Sequence, residues 1–492
     1  MTQDHDPSRA TSYRTRPVFV PDFARDGRRG WILAAGVLAS SMGFIDGTVV
    51  SIAIPAIRAS LGATLDQATW INNAYMLTLS ALILTGGAYG DRFGLARVFS
   101  LGVGLFLMTS LLCAVAPTPD LLIVARLAQG VGAALMVPGS LAMISRAYPR
   151  EQRGRAIGIW AAASGLTTAA GPIVGGLLLS SGAPEAWRGI FAINLPLGLA
   201  TLFLVWRAVN ADPRRQGEPV DIAGAVLAIT GLGLLAWTLT HLEGSNDTRL
   251  TVLTGVAGCL VLAVFLAQQR RAAAPMMPLW MFRNRTFSAA NASTFLLYFG
   301  MSAILFFLPM LTVAGWGLTA FQTIFAFGPI TLFIAAFSTR FGKMADQHGA
   351  GPLITGGSAL VAVGYAGLAL VIPSQNFWLG VLPTMGVVGL GMSMVVAPLS
   401  ASIMGAAGPG RDGIASGINN AVSRIAGLIA VAAMSSVVAI GYAINGGPAS
   451  FGEVSTLPGH LDAMNSGFAL IAWGASGLAA LSAIIAALLV RR

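Results

Sequence analysis

Fourteen apolar stretches, each near the length of a bilayer crossing, leave this chain almost no way to fold in water. They fall near 31–54, 69–89, 98–116, 121–145, 155–181, 189–209, 221–241, 249–269, 286–312, 320–341, 352–372, 378–404, 414–441 and 465–490. Roughly 20 apolar residues cross the hydrocarbon core as a helix, which satisfies its own backbone groups there. The expectation is therefore an all-α integral membrane protein. Composition agrees: 55% of the 492 residues are hydrophobic and 10% are charged, where a soluble domain carries charge on about a quarter.

An even number of crossings puts both termini on one side. Twenty-four of the 29 Lys and Arg residues fall in the tails and loops of that side. Only Arg58, Arg188 and Arg249 lie opposite, and Arg126 and Arg424 lie within spans. Cytoplasmic loops collect positive charge, so both termini are expected in the cytoplasm of a cell inner membrane. The same bias accounts for the net charge of +10 without nucleic acid. Residues 1–30 carry six Arg and no apolar core, which reads as a cytoplasmic tail and not a signal peptide.

Asp46 is the only carboxylate in the first apolar run, Trp31 to Pro55. A lone carboxylate in hydrocarbon must be neutral, paired or facing water. The plain alternative is a structural pair with an Arg; the sharper one is a proton or cation site. Arg126 is placed to reach it. At 1.5 Å per residue Asp46 lies about 12 Å from the outer end of helix 1, and Arg126 about 8 Å from that of helix 4. An Arg there pairs with the ionised carboxylate while desolvation favours the neutral acid, a balance suited to proton uptake and release. The alternative for Arg126 is snorkelling to the surface. Arg424 in helix 13 lies near the midplane without any acidic residue in the second-half spans, so its partner is open between backbone carbonyls and a watery cavity.

An internal repeat divides the chain. Gly87-Ala88-Tyr89-Gly90-Asp91-Arg92-Phe93-Gly94 separates helices 2 and 3, and Gly342-Lys343-Met344-Ala345-Asp346-Gln347-His348-Gly349 separates helices 10 and 11. The glycines allow a tight turn, and Asp91 is placed to accept from the loop or cap helix 3. The offset implies two six-helix halves, at 31–209 and 286–490, around an inserted pair with flanking loops at 210–285. Repeated halves around a central site are a transporter architecture.

Here the sequence resembles the major facilitator superfamily, and several stretches resemble its fourteen-helix drug:proton antiporter branch. Asp46, Thr48 and Pro55 match the helix 1 signature; Trp70, Tyr75 and Leu77 match helix 2. Leu122, Arg126, Gln129, Gly130, Gly132 and Ala133 match helix 4. Gly171, Pro172, Gly175 and Gly176 match the helix 5 motif that the family associates with antiport. Trp187, Arg188, Phe191, Asn194, Pro196 and Gly198 match the entry to helix 6. Ser51, Tyr89, Leu95-Ala96 and Thr167 depart from the usual residues. The resemblance implies a major facilitator fold. Its implied function is proton-coupled multidrug efflux of lipophilic, cationic compounds by alternating access, with Asp46 and Arg126 as the proton-coupling pair.

Pro172 removes a backbone hydrogen bond in mid-helix while the flanking glycines permit close packing, so Gly171, Pro172, Gly175 and Gly176 read either as a gating hinge or as a packing kink. With them, Gly87, Gly90, Asp91, Arg92, Gly94 and Asp346 form the conformational set. Phe44, Asn73, Tyr75, Tyr298, Phe306, Phe307, Asn419 and Asn420 are candidate substrate contacts; the alternative for each is packing or interhelical hydrogen bonding. Cys113 and Cys259 lie in spans and read as packing residues. No metal, cofactor or ATP-binding pattern is present, so the expected partners are small lipophilic substrates, protons and membrane lipids, with the chain a monomer. The same features suit an exporter of one amphipathic natural product or lipid; a non-transporting sensor is the alternative of another class. Asp46→Asn is expected to fold, since an amide is cheaper to bury than a carboxylate.

Overall fold

The computed structural model describes residues 23–25, 27–149, 152, 156, 159, 160, 163, 171, 173–180, 183–210, 220–241, 248–407 and 412–490, with the backbone alone at 91, 346, 412 and 413. Thr167 and Pro172 lie outside the described residues. Apart from one bridge between Ala24 and Val209, the described chain is helices, turns and bends. The first half holds α1 (Arg29–Leu61), α2 (Leu65–Phe93), α3 (Leu95–Val115), α4 (Pro119–Ala147), α5 (described at 173–179) and α6 (Ala186–Ala208). The inserted pair is α7 (Ile222–Thr240) and α8 (Thr248–Arg271). The second half holds α9 (Arg285–Gly315), α10 (Ala320–Ile324 with Gly328–His348), α11 (Ala350–Ser374), α12 (Phe377–Ala407), α13 (Asp412–Ile444) and α14 (His460–Leu489). Among the described residues, 12 helices are long and apolar enough to cross a membrane. To these add α2, which has 29 residues and is more polar, and the partly described α5.

Local chemistry sets the helix ends. Thr64 and Gln67 form a capping box at α2, and Thr118 accepts from Leu121 N at 3.3 Å, with Pro119 opening α4. The repeated loops are single glycine hinges. Gly94 joins α2 to α3 at φ 105°, and Gly349 joins α10 to α11 at φ 85°. A side chain is strained there, which is why both repeats end in glycine. The turn thus falls at the last glycine of each repeat and not at the earlier ones. Gly87 and Gly90 lie inside α2, Asp91 and Arg92 sit in its last turn, and Asp346 lies within α10. The N-cap of α3 is Gly94, with no side-chain cap. The exposed Arg92 rests over the Phe93 ring at 5.3 Å.

Small residues set the closest packing. A Cβ on Gly130 of α4 would stand 2.1 Å from Thr78 Oγ1 and 2.4 Å from the Tyr75 carbonyl of α2. No other residue permits that approach, and it carries α2 onto the face of α4 that holds Arg126. The first half is tied by Arg28 Nη1 donating to Arg207 O at 2.6 Å, beside the Ala24–Val209 bridge. The inserted pair is tied by Asp221, which caps α7 and accepts from Gln268 and Gln269 of α8 at 2.8 and 2.5 Å.

The two halves are pinned together on the side away from the termini. Arg58, at the end of α1, donates to Phe451 O at 2.6 Å and Ala63 O at 3.2 Å. Phe451 belongs to the α13–α14 loop and packs edge-on against Phe307 of α9, ring centroids 6.1 Å apart. A Cβ on Gly176 of α5 would stand 2.1 Å from Ile324 Cδ1 of α10. Alongside, α2 meets α13, with Thr69 Oγ1 donating to Ser435 Oγ at 3.4 Å.

Candidate functional site

Asp46 lies midway along α1 and is fully buried, as is Arg126 on α4. The two form a direct ion pair through Arg126 Nη1 and Asp46 Oδ2. The depth estimate from the sequence thus brings the right residues together. Four helices complete the set. Gln129, one turn beyond Arg126, donates to Asp46 Oδ1 at 3.0 Å and to Ser110 Oγ of α3 at 2.8 Å, and its Oε1 accepts from Arg126 Nη1 at 2.7 Å. Asn194 of α6 donates to Asp46 Oδ1 at 3.4 Å and to Ser110 Oγ at 3.3 Å. Arg126 Nε donates to Ile71 O of α2 at 3.1 Å. Arg126 Nη2 is buried with no hydrogen-bond partner.

Aromatic faces close the pair off. The Arg126 guanidinium lies 4.3 Å from the Tyr75 ring centroid and 5.7 Å from that of Phe191. A desolvated cation is held by such faces. Tyr75 in turn donates its hydroxyl to Gly43 O of α1 at 3.0 Å. Cys113 Sγ stands 3.7 Å from Gln129 Oε1, so this cysteine borders the site; Cys259 is exposed. A buried ion pair is weak evidence for stability, because desolvation offsets much of the Coulomb attraction. The pair is wired to α1, α2, α3, α4 and α6.

The candidate substrate contacts separate into four groups. Tyr75 and Asn73 are fully buried in the first half: Tyr75 braces Arg126, and Asn73 accepts from Asn72 at 3.4 Å while its Nδ2 has no partner. Phe306 and Phe307 are buried, edge-on to each other at 4.9 Å, and Phe307 seals against Phe451. Both are packed in the core, and Phe307 lies at the pinned end. Phe44, Tyr298 and Arg424 keep part of their surface open, midway along α1, α9 and α13. Arg424 Cζ lies 5.7 Å from the Phe44 ring centroid. Asn419 accepts from Thr294 Oγ1 at 2.8 Å, and the exposed Asn420 bonds back to Ser416 O at 3.1 Å.

In α5 the close approach is present at both glycines described facing α1. A Cβ on Gly171 would stand 2.1 Å from Thr48 Oγ1, and one on Gly175 would stand 2.7 Å from Val49 Cγ2. A groove of about 730 Å³ lies away from Asp46, between α10 and α12, with Leu332, Phe333, Leu382 and Leu390 along it. It offers no polar chemistry.

Gln129 and Asn194 are the site residues that sequence reasoning missed as such. Gln129 had a signal, since it follows Arg126 by three residues and shares its helical face. Asn194 had its match to the helix 6 motif, and Ser110 had none beyond being polar within an apolar span.

The Major Facilitator Superfamily profile matches residues 36–431. The methylenomycin A resistance protein of Streptomyces coelicolor is 32% identical over 434 residues, 87% of this chain and 90% of that protein. The multidrug resistance protein Stp of Mycobacterium tuberculosis is 31% identical over 415 residues, 83% of this chain and 75% of that protein. Among solved structures, a D-xylose-proton symporter superposes with TM-score 0.66 at 17% identity, covering 94% of this chain and 98% of that one; at that identity the likeness speaks for the fold alone. By its helices, its repeat, the profile match and these relatives, this chain belongs to the Major Facilitator Superfamily and is a multi-pass membrane transporter, not an enzyme.

Proposed function

We propose that this protein is a proton-coupled efflux transporter that exports lipophilic small molecules by alternating access. Its relatives in Streptomyces and Mycobacterium carry names of antibiotic and multidrug resistance, which supports export as the direction. The observation that carries proton coupling is the buried Asp46 carboxylate, held by Arg126, Gln129 and Asn194 at the meeting of α1, α4 and α6. When Asp46 takes a proton, Arg126 loses its counter-charge and keeps only Gln129, Ile71 O and the Tyr75 face. The polar set must then re-pair, and its members are spread over α1, α2, α3, α4 and α6. Proton binding is in this way a mechanical signal to the first half.

In this reading both termini face the cytoplasm, and the pinned side is the outer side. The Arg58 latch and the Gly176–Ile324 contact then close the outer gate. The cationic character expected of the substrate from Asp46 alone draws no support from this arrangement, because the carboxylate is already neutralised by Arg126. A single-compound exporter is the second reading, favoured by a further relative: the tetracenomycin C resistance and export protein of Streptomyces glaucescens is 30% identical over 437 residues. The test is a resistance profile in a host stripped of its exporters, wild type against Asp46→Asn. Protection by the wild type against several unrelated compounds, lost in the variant, supports broad efflux; protection against one chemical class supports the second reading. Equal protection by both proteins contradicts a role for Asp46.

A further inference from the structure

The charge ledger of the central region does not balance, and the imbalance lies in the second half. Arg126 is neutralised by Asp46. Among the described residues Arg424 has no carboxylate within ion-pair reach and no hydrogen-bond partner, and its Nε is buried without one. Its neighbours are aromatic. The Phe44 ring centroid lies 5.7 Å from Cζ, and Tyr298 sits midway along α9, which packs against α13. Phe44 and Tyr75 belong to the first half, Tyr298 and Arg424 to the second. A guanidinium with five donors, set midway along a membrane helix between two halves that move, is costly unless something anionic or watery meets it.

We propose that Arg424 is the anion-recognising group of the substrate site, and that the exported compounds are amphipathic organic acids: an apolar, ring-bearing body with a carboxylate or comparable anionic group. Arg424 binds the anion while Phe44 and Tyr298 contact the body. A guanidinium recognises a planar carboxylate in a two-donor fork, which gives orientation as well as attraction. The proposal rests on the export reading above and narrows its substrate. It also separates the roles of the two halves: the first carries the proton pair, the second the charge that selects the cargo. Exchange then runs without a contest for one carboxylate, and the protonation of Asp46 acts on the substrate through the packing between Phe44 and Arg424.

The test uses the purified full-length protein in neutral detergent and three ligands built on one pyrene ring and chain: pyrenebutanoic acid, its methyl ester, and the matching trimethylammonium. Binding is followed by quenching of the protein's tryptophan fluorescence. The wild type is expected to bind the acid at least about tenfold tighter than the ester or the ammonium. Arg424→Gln brings the acid to the level of the ester, and Arg424→Lys keeps a preference for the acid because the charge remains. Equal or tighter binding of the ammonium by the wild type overturns the proposal, as does an acid affinity unchanged in Arg424→Gln. Displacement of the acid by phosphatidylglycerol but by no soluble organic acid reassigns Arg424 to a lipid headgroup and also overturns it. The wild type in liposomes separates this from the export reading. Transport of any of the three ligands driven by a pH gradient leaves that reading intact whichever binds best, and transport of none of them removes that reading while the binding preference still stands or falls alone.

Discussion

Neutralising Asp46 exposes how the pair is held, because the cost falls on its partner. Asp46→Asn removes the only carboxylate on Arg126 and leaves a buried guanidinium uncompensated. Breaking a buried pair from one side costs about 3–5 kcal/mol. Arg126 retains Gln129 Oε1, Ile71 O and the Tyr75 face; such a face is worth up to about 2 kcal/mol when desolvated. The expected loss is therefore about 1–3 kcal/mol. This reverses the expectation from sequence that the amide is simply cheaper to bury. Arg126→Gln, which orphans the carboxylate, should cost a similar amount. In the double variant Asp46→Asn/Arg126→Gln neither charge is left alone, and about 1–2 kcal/mol should return as coupling. The assay is thermal unfolding in detergent, read by a thiol-reactive dye on the buried Cys113 in a Cys259→Ser background. The account expects the double variant to lose less in Tm than the two single losses added together. A double variant whose loss in Tm equals the sum of the two single losses refutes the reasoning.

Four further outcomes are expected. Arg58→Gln should loosen the outer latch and raise maleimide labelling of a Cys placed at Ser450 by about tenfold, since one charged hydrogen bond to Phe451 O is lost; unchanged labelling contradicts the latch. Gly171→Val with Gly175→Val should block export with protein still in the membrane, because the added carbons meet Thr48 and Val49 of α1; normal export by the double variant makes the close approach dispensable. Glu185 is held below the usual carboxylate range by its hydrogen bond from Arg188 and then by that from Ser60. This tie between α1 and the α6 entry is present at neutral pH and lost as pH falls through the lowered value, so a carbon-13 titration of Glu185 should find its midpoint below about 4.3; a midpoint above that contradicts it. For topology, with both native cysteines replaced, external reagent should reach a Cys at Ser455 but not one at Ser8; labelling of both overturns the orientation.

The membrane fold was legible because its signals are additive over 20 residues: apolar length, Arg position and a repeated loop each survive local error. The pairing of Asp46 with Arg126 was legible for a narrower reason. Both are the lone charges of their spans, and helix rise alone sets their depth. What escaped was direction around the helix. Phe307 lies at a plausible depth for substrate, yet it packs edge-on against Phe451 at the closed end, with Phe306 edge-on to it. Tyr75 points its ring under Arg126 and its hydroxyl at Gly43, which no spacing on α2 alone reveals. The loop glycines show the same limit from the other side. Gly94 and Gly349 need positive φ, while Gly87 and Gly90 are ordinary helical positions with the same letter.

The central claim is that Asp46 carries the coupled proton. Wild-type protein, purified in weakly buffered solution with a pH-sensitive dye, should release protons when an exported compound is added, because proton and substrate binding oppose each other by the same factor in both directions. Asp46→Asn, stabilised if necessary by Arg126→Gln, should bind substrate without release. Undiminished proton release from the Asp46→Asn protein places the coupled proton on another group and contradicts the account.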